Sequence, residues 1–485
     1  MALDDDEIAG ADIARLQAAM AAGQTTAADL VAAYNRRIAA FDRAGPVLNS
    51  VAELNPGAAA IAAALDAERA ASGPRGPLHG IPVLLKDNIE TADQLHTTAG
   101  SLAMKEWRPN SDAFLVTRLR AAGAVILGKA NMTEWANFMT VGMKNGYSSR
   151  GGQVRNPYGP AFDTGGSSSG SAVAVAAGLC ALAVGTETSG SILSPASNNS
   201  LVGVKPTVGL ISRHGIIPIS RTQDTAGPLT RTVSDAAGLL NVLAGFDPKD
   251  RATLPLRRRP PFDYTASLTP DGLRGARIGV PRAVFWERAA VGHRAVAERA
   301  LEVLRGCGAE VIDPAEVANA SEVAGLGLGV LVYEFRRDLN RYLHDRGPDV
   351  PVRSLRALIR FHEANPVEML RYGQTLLLAA EAAGGVKTAA YRRFRSEDLR
   401  LAKVEGIDAT LAANELDALV FPGFMGAAIG AKAGYPSVTV PAGYAEDGMP
   451  VGLTFLGPAW SEATLLRFAY AFEQASMARR PPVLI

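Results

Sequence analysis

The sequence predicts an α/β fold. Three observations carry that reading: short apolar runs ending in glycine or polar residues, helical periodicities alternating with them, and long glycine- and serine-dense loops between the two. With 48% of 485 residues apolar, 20% charged and 6% aromatic, the chain has the make-up of a folded globular protein rather than a disordered one. In chain order, residues 11–43 read as two helices. Leu30, Val31, Tyr34, Ile38 and Phe41 recur at helical spacing, and Thr26 with Asp29 forms a capping-box pattern at the second start. From about residue 78 the texture changes to strand-like runs, Ile81–Leu85 and Val125–Leu127, with a helix over Asp112–Ala122. Residues 146–230 are rich in glycine, serine and threonine around one apolar stretch, the kind of long loop that a compact domain keeps for function. After a soft boundary near residue 247, a strand over Ala276–Val280, a helix over Ala289–Leu304 and a strand over Ala309–Ile312 make one βαβ-sized unit. Residues 320–405 are mostly helical, with Leu331, Phe335, Leu339 and Tyr342 on one face, and are expected to cover the site. The end returns to strands at Ala418–Phe421, Ser437–Val440 and Val451–Phe455, closed by a helix whose Leu465, Phe468, Ala469 and Phe472 share a face. No internal repeat is present.

Several function classes are excluded early. Basic and acidic side chains number 49 and 48, for a net charge of +1, and no long like-charge block occurs, so neither nucleic acid nor an anionic membrane is an expected partner. The run Arg257, Arg258, Arg259 beside Pro260 and Pro261 reads as a solvated loop. Cys180 and Cys307 lie far apart in apolar or glycine-rich stretches and read as packed thiols, which fits a reducing compartment. The acidic N-terminus is the reverse of a secretory leader, and the apolar run 172–185 is too short and alanine-rich to span a bilayer, so a cytoplasmic protein is expected. Gly325, Gly327 and Gly329 lack the strand and acidic residue of a dinucleotide fingerprint, and no phosphate-binding P-loop occurs. The histidines at 79, 96, 214, 293, 344 and 362 show no ligand spacing, so neither a metal nor a cofactor is expected.

The chemistry concentrates in Gly165-Gly166-Ser167-Ser168-Ser169-Gly170-Ser171, a string too flexible to serve packing. Gly166–Gly170 satisfies the GxSxG of a nucleophile elbow with Ser168 central. However, the preceding Arg155–Thr164 is a proline-containing loop rather than a strand, and no histidine follows His362 to complete such a triad. A serine activated without histidine fits better. The apolar Leu179–Val184 leads into Gly185-Thr186-Glu187-Thr188-Ser189-Gly190-Ser191, a turn whose backbone N–H groups can converge on one point as an oxyanion hole. Upstream, the apolar run ending in Lys86 places a lysine at the edge of a core, where desolvation suppresses its charge. Asp87 and Asn88 follow it, suited either to shape the base's surroundings or to a structural role.

These three segments resemble the amidase signature family, together with Gly128–Trp135, Gly203–Thr207, Asp224–Pro228 and Gly434–Gly443, so that the resemblance covers essentially the whole chain. It implies a large mixed central sheet flanked by helices on both faces, one compact domain with a helical insertion. Within it, 1–70 is an N-terminal helical segment, 71–246 the catalytic core, 247–416 an insertion shaping the pocket, and 417–485 the rest of the core. The resemblance further implies Ser191 as nucleophile, Ser167 as a bridging serine on a cis peptide, Lys86 as base, and the Thr188, Ser189, Gly190 and Ser191 amides as oxyanion hole. An ordinary lysine is neutral about once in 2,500 at pH 7, a penalty of about 4.6 kcal/mol, and burial can lower its pKa by about 3 to 5 units, so a buried Lys86 can serve as base.

Among family members the pattern is most similar to bacterial peptide amidases, on Tyr147–Gln153, Gly215–Ser220 and Leu331–Phe335, with departures at Gly165 and Ser189. That implies linear amides, such as peptide C-terminal amides, as substrates of a monomer or homodimer. An aryl-acylamide or carbamate hydrolase is the alternative within the family. A glutamine-dependent amidotransferase subunit is disfavoured because Ser191-Ile192 is followed by Leu193, where that class carries arginine.

Overall fold

The computed structural model describes residues 2–259 and 261–484. Its strands are β1 (Val51–Leu54), β2 (Pro82–Lys86), β3 (Val125–Ala130), β4 (Tyr147–Ser148), β5 (Gly152–Gln153), β6 (Leu182–Glu187) and β7 (Val202–Lys205), then β8 (Thr225–Thr230), β9 (Arg277–Gly279), β10 (Glu310–Ile312), β11 (Ala418–Pro422), β12 (Ser437–Tyr444) and β13 (Pro450–Leu456). Eleven of them form one mixed sheet in the order β1-β3-β2-β6-β8-β7-β12-β13-β11-β9-β10, and β4 with β5 makes a separate hairpin. The segment β3-β2-β6 is parallel, as is β11-β9-β10, and the strands between are antiparallel. Helices cover both faces, which is why β2, β3, β6 and β11 are buried at every position and read as continuous apolar runs instead of alternating ones.

Expected and observed elements agree closely over most of the chain. Helices span Ile13–Ala21 and Ala27–Arg37, and Thr26 with Asp29 makes the full capping box. Helix Val291–Gly306 joins the parallel β9 and β10, giving the expected βαβ unit. Helix Asp5–Gly10, helix Ala58–Ser72 and strands β1, β7 and β8 were not anticipated. The reason is visible in β8, whose Gly227 and Pro228 read as loop residues. A Cβ on Gly227 would lie 1.9 Å from the Val204 carbonyl, so glycine is what lets β7 pack there. Arg257–Arg259 are exposed as expected, but Arg251–Arg258 is a 3-10 helix rather than a loop, and Pro260 lies outside the described residues. Cys180 is buried in the core and Cys307 is partly exposed; both are free thiols.

The helical insertion has a core of its own. Helices Gly329–Asp345, Leu355–Ala364 and Thr375–Ala382 bury Leu331, Phe335, Leu339, Leu358 and Leu377 against Trp107, Met132, Trp135 and Phe138, next to the end of β3. At about 1.5–3 kcal/mol per large apolar side chain, this cluster holds the insertion onto one edge of the molecule. Among the described residues no helix is long and apolar enough to cross a membrane.

Candidate active site

Lys86 ends β2 and Glu187 ends β6, so both lie at the carboxyl ends of adjacent parallel strands, where open α/β sheets collect ligands. The glycine-serine loop reaches this edge because Gly165, at φ +64°, lets the chain pass against Ser194 and Pro195. A Cβ there would sit 2.6 Å from the Pro195 backbone. The Gly166–Ser167 peptide is cis, and helix Ser169–Ala176 follows.

Lys86 and Ser167 meet directly. Lys86 Nζ lies 2.8 Å from Ser167 Oγ, 3.0 Å from the Thr186 carbonyl and 2.9 Å from Thr186 Oγ1. Its side chain is fully buried, and burial pulls its pKa from the ordinary 10.5 down to about 7, against the opposing pull of the Glu187 and Asp224 carboxylates. Ser191 is tied by its backbone to the loop that carries Ser167, its carbonyl accepting from the Ser168 amide at 3.2 Å. Its hydroxyl donates no hydrogen bond among the described residues, and the residue is 7% exposed, so the hydroxyl is free for a ligand. Ser168, the alternative elbow serine, is fully buried and donates to the Thr186 carbonyl at 3.1 Å, out of reach of substrate.

The oxyanion turn needs one correction. Glu187, buried and needing donors, takes the amides of Gly190 at 2.7 Å, Ile192 at 2.7 Å and Leu193 at 3.0 Å. Gly190 therefore offers no free N–H, whereas the amides of Thr188, Ser189 and Ser191 donate to none of the described residues. The Asp87 side chain likewise makes no hydrogen bond to Lys86. Its carboxylate receives Thr98 Oγ1 and Arg150 Nη1, which docks the 97–101 loop. Asn88 does contribute, donating from Nδ2 to Thr186 Oγ1 at 3.0 Å.

A cleft of about 180 Å³ opens beside the turn, walled by Asn88, Thr186, Thr188 and Asp224 on the core side and by Asp338 and Tyr342 of helix Gly329–Asp345 across from them. Asp224 accepts from Thr188 Oγ1 at 2.5 Å and from the Ile219 and Ser220 amides, and burial raises its pKa to about 7. Ala136 completes a wall of the cleft from a segment that sequence reasoning missed. Trp135, Ala136 and Asn137 all have positive φ, at 49°, 53° and 68°, a left-handed turn that ordinary residues avoid and for which the sequence carries no glycine signal. Buried Glu134, accepting from the Ser149 amide at 2.7 Å and hydroxyl at 3.0 Å, anchors it.

The sequence profile of the Amidase family matches residues 29–466. The chain belongs to the amidase family. This amidase superposes on the crystal structure of a peptide amidase from Stenotrophomonas maltophilia with a TM-score of 0.93 and 50% identity, covering 98% of this chain and 99% of that one. It is 40% identical to a probable amidase of Arabidopsis thaliana over 97% of this chain and 94% of the other. It is also 35% identical to a glutamyl-tRNA(Gln) amidotransferase subunit from Chloroflexus aurantiacus, over 97% and 98% of the two chains. Membership makes it an enzyme that hydrolyses amides.

Proposed function

We propose that this amidase cleaves linear carboxamides through an acyl-enzyme on Ser191, and that peptide C-terminal amides are its substrates. The observation that carries the mechanism is the 2.8 Å contact between buried Lys86 Nζ and Ser167 Oγ, in the loop whose next residue, Ser168, donates its amide to the Ser191 carbonyl. Lys86 takes the Ser167 proton while Ser167 takes that of Ser191, whose oxygen attacks the substrate carbonyl. The negative charge on the tetrahedral oxygen is held by the amides of Thr188, Ser189 and Ser191, which need no rearrangement to receive it. Run in reverse, the relay protonates the leaving nitrogen, ammonia departs, and water repeats the attack on the ester to release the acid. The substrate class rests on the similarity to the Stenotrophomonas peptide amidase over nearly all of both chains.

Mass spectrometry tests it. Purified protein is incubated with a peptide C-terminal amide and an acyl anilide in one tube. The expected result is a mass gain of about one dalton on the peptide, as its amide becomes an acid. Aniline release with the peptide unchanged would move the assignment to the aryl-acylamide branch.

A further inference from the structure

Lys86 Nζ has three hydrogen-bonding neighbours, and a neutral amine has only two hydrogens and one lone pair. Catalysis by the relay above requires that the lone pair face Ser167, so the arrangement of the other two contacts matters. The Thr186 carbonyl can only accept, which commits one N–H. The Thr186 hydroxyl could either accept the second N–H or donate its own hydrogen into the lone pair and mask the base.

We propose that Thr186 is a positioning residue whose hydroxyl, held as an acceptor, aims the Lys86 lone pair at Ser167. Two observations fix its role. In the charged state Nζ carries three hydrogens and no lone pair, so all three neighbours must accept, Thr186 Oγ1 included. Deprotonation toward Ser167 then leaves the remaining hydrogens where they already point. Asn88 holds the hydroxyl from the other side, donating to Thr186 Oγ1 at 3.0 Å. That orientation also puts Nδ2, rather than the amide oxygen, toward the Ile217 carbonyl, an acceptor 3.5 Å away. Thr186 is fixed in turn by its place in β6, paired with Ala226 of β8, and by Ser168, whose hydroxyl receives the Thr186 amide at 3.3 Å. This assignment rests on the Ser191, Ser167 and Lys86 reading.

The test is Thr186→Val, which keeps the shape of the side chain and removes the oxygen, with Thr186→Ser and Lys86→Ala beside it. Without the hydroxyl the amine can turn an N–H toward Ser167 and its lone pair away, so kcat/KM should fall about 10- to 100-fold with KM within about twofold of wild type. The acidic limb of the pH profile should move to lower pH, because the ammonium form loses an acceptor. Glu187 and Asp224, the carboxylates that face Lys86, do not hydrogen-bond to Nζ and stay in place in the variant. Thr186→Ser should restore both rate and limb. A thermal melt confirms folding of each variant. A Thr186→Val enzyme with wild-type kcat/KM overturns the assignment, as does one that loses activity with an unmoved limb and is not rescued by serine. A Lys86→Ala enzyme that keeps its rate brings down the triad reading as well, and so separates the two failures.

Discussion

At the scale of single residues, Lys86 shows how a strand that reads as core can end in chemistry. Its burial removes the solvation that keeps an ordinary lysine charged, and the nearby Glu187 and Asp224 carboxylates limit the shift so that the pKa comes to rest at about 7. As the proposed base, Lys86 works in its neutral form, so kcat/KM should fall as pH drops below about 7, roughly tenfold per unit. Asp224 is held at about 7 as well and faces Lys86, so the limb in a pH-rate profile belongs to the pair. A profile flat from pH 5 to 8 would exclude Lys86 as the base. Ser191→Ala and Lys86→Ala should each lower kcat by at least about 10⁴-fold with an unchanged melting temperature, and Ser167→Ala by several orders of magnitude. Steady-state kinetics on the folded variants check this. Legibility at this scale was uneven. Ser167 and Ser191 stand out in the sequence because glycine and serine strings have no packing role, and Lys86 through the family resemblance, whereas Thr186 and Asn88 matter only through which atoms they face.

At the scale of elements, three strands carry a buried lysine at or next to their last residue. Lys129 is the next-to-last residue of β3 and Lys205 closes β7, each fully buried and drawn down to about 8, yet neither meets the serines. Lys129 donates to the Ile89 carbonyl and to Thr97 Oγ1, tying the loop after β2 to its neighbour. Its folded pKa of about 8 lies below the ordinary 10.5, so between those values the unfolded chain binds more protons and the native state gains stability as pH rises. The gain amounts to about 3 kcal/mol at most. Denaturant melts of wild type and Lys129→Met should therefore diverge from pH 8 to 10, with wild type gaining on the variant. Parallel curves would show that Lys129 keeps its ordinary pKa. The same comparison explains a limit of sequence reading: Lys86, Lys129 and Lys205 each follow an apolar run, and only the strand order puts Lys86 beside the serine loop. The left-handed turn Trp135–Asn137 was illegible for a related reason, since its backbone is imposed by contacts at Glu134 and Ala99 and not by glycine at the turn itself.

Across the whole molecule, the helical insertion is docked through buried carboxylates as much as through its apolar face. Glu334 accepts from the Ser220 hydroxyl at 2.6 Å, the Thr222 hydroxyl at 3.0 Å and the Tyr391 hydroxyl at 2.6 Å, while Asp338 accepts from the Arg221 amide at 2.9 Å. These contacts press helix Gly329–Asp345 onto the 219–224 segment that carries Asp224 at the cleft. Removing Glu334 leaves three hydroxyls short of an acceptor, so Glu334→Ala should cost about 1 to 3 kcal/mol in denaturant melts and raise KM more than it lowers kcat. An unchanged KM would mean that the insertion does not shape the substrate site. The α/β class and the order of most elements were determined by the sequence alone, because burial on both faces and helical periodicity leave local marks, and the glycine-serine strings that carry the proposed serines stand out because they cannot pack. The tertiary structure alone decided which amides remain free, which buried lysine meets Ser167 and what walls the cleft. Those depend largely on contacts between residues far apart in the chain, with Glu187 and Asp224 and the amides of their own turns as local exceptions, and a periodicity records how a segment is buried without recording its partner.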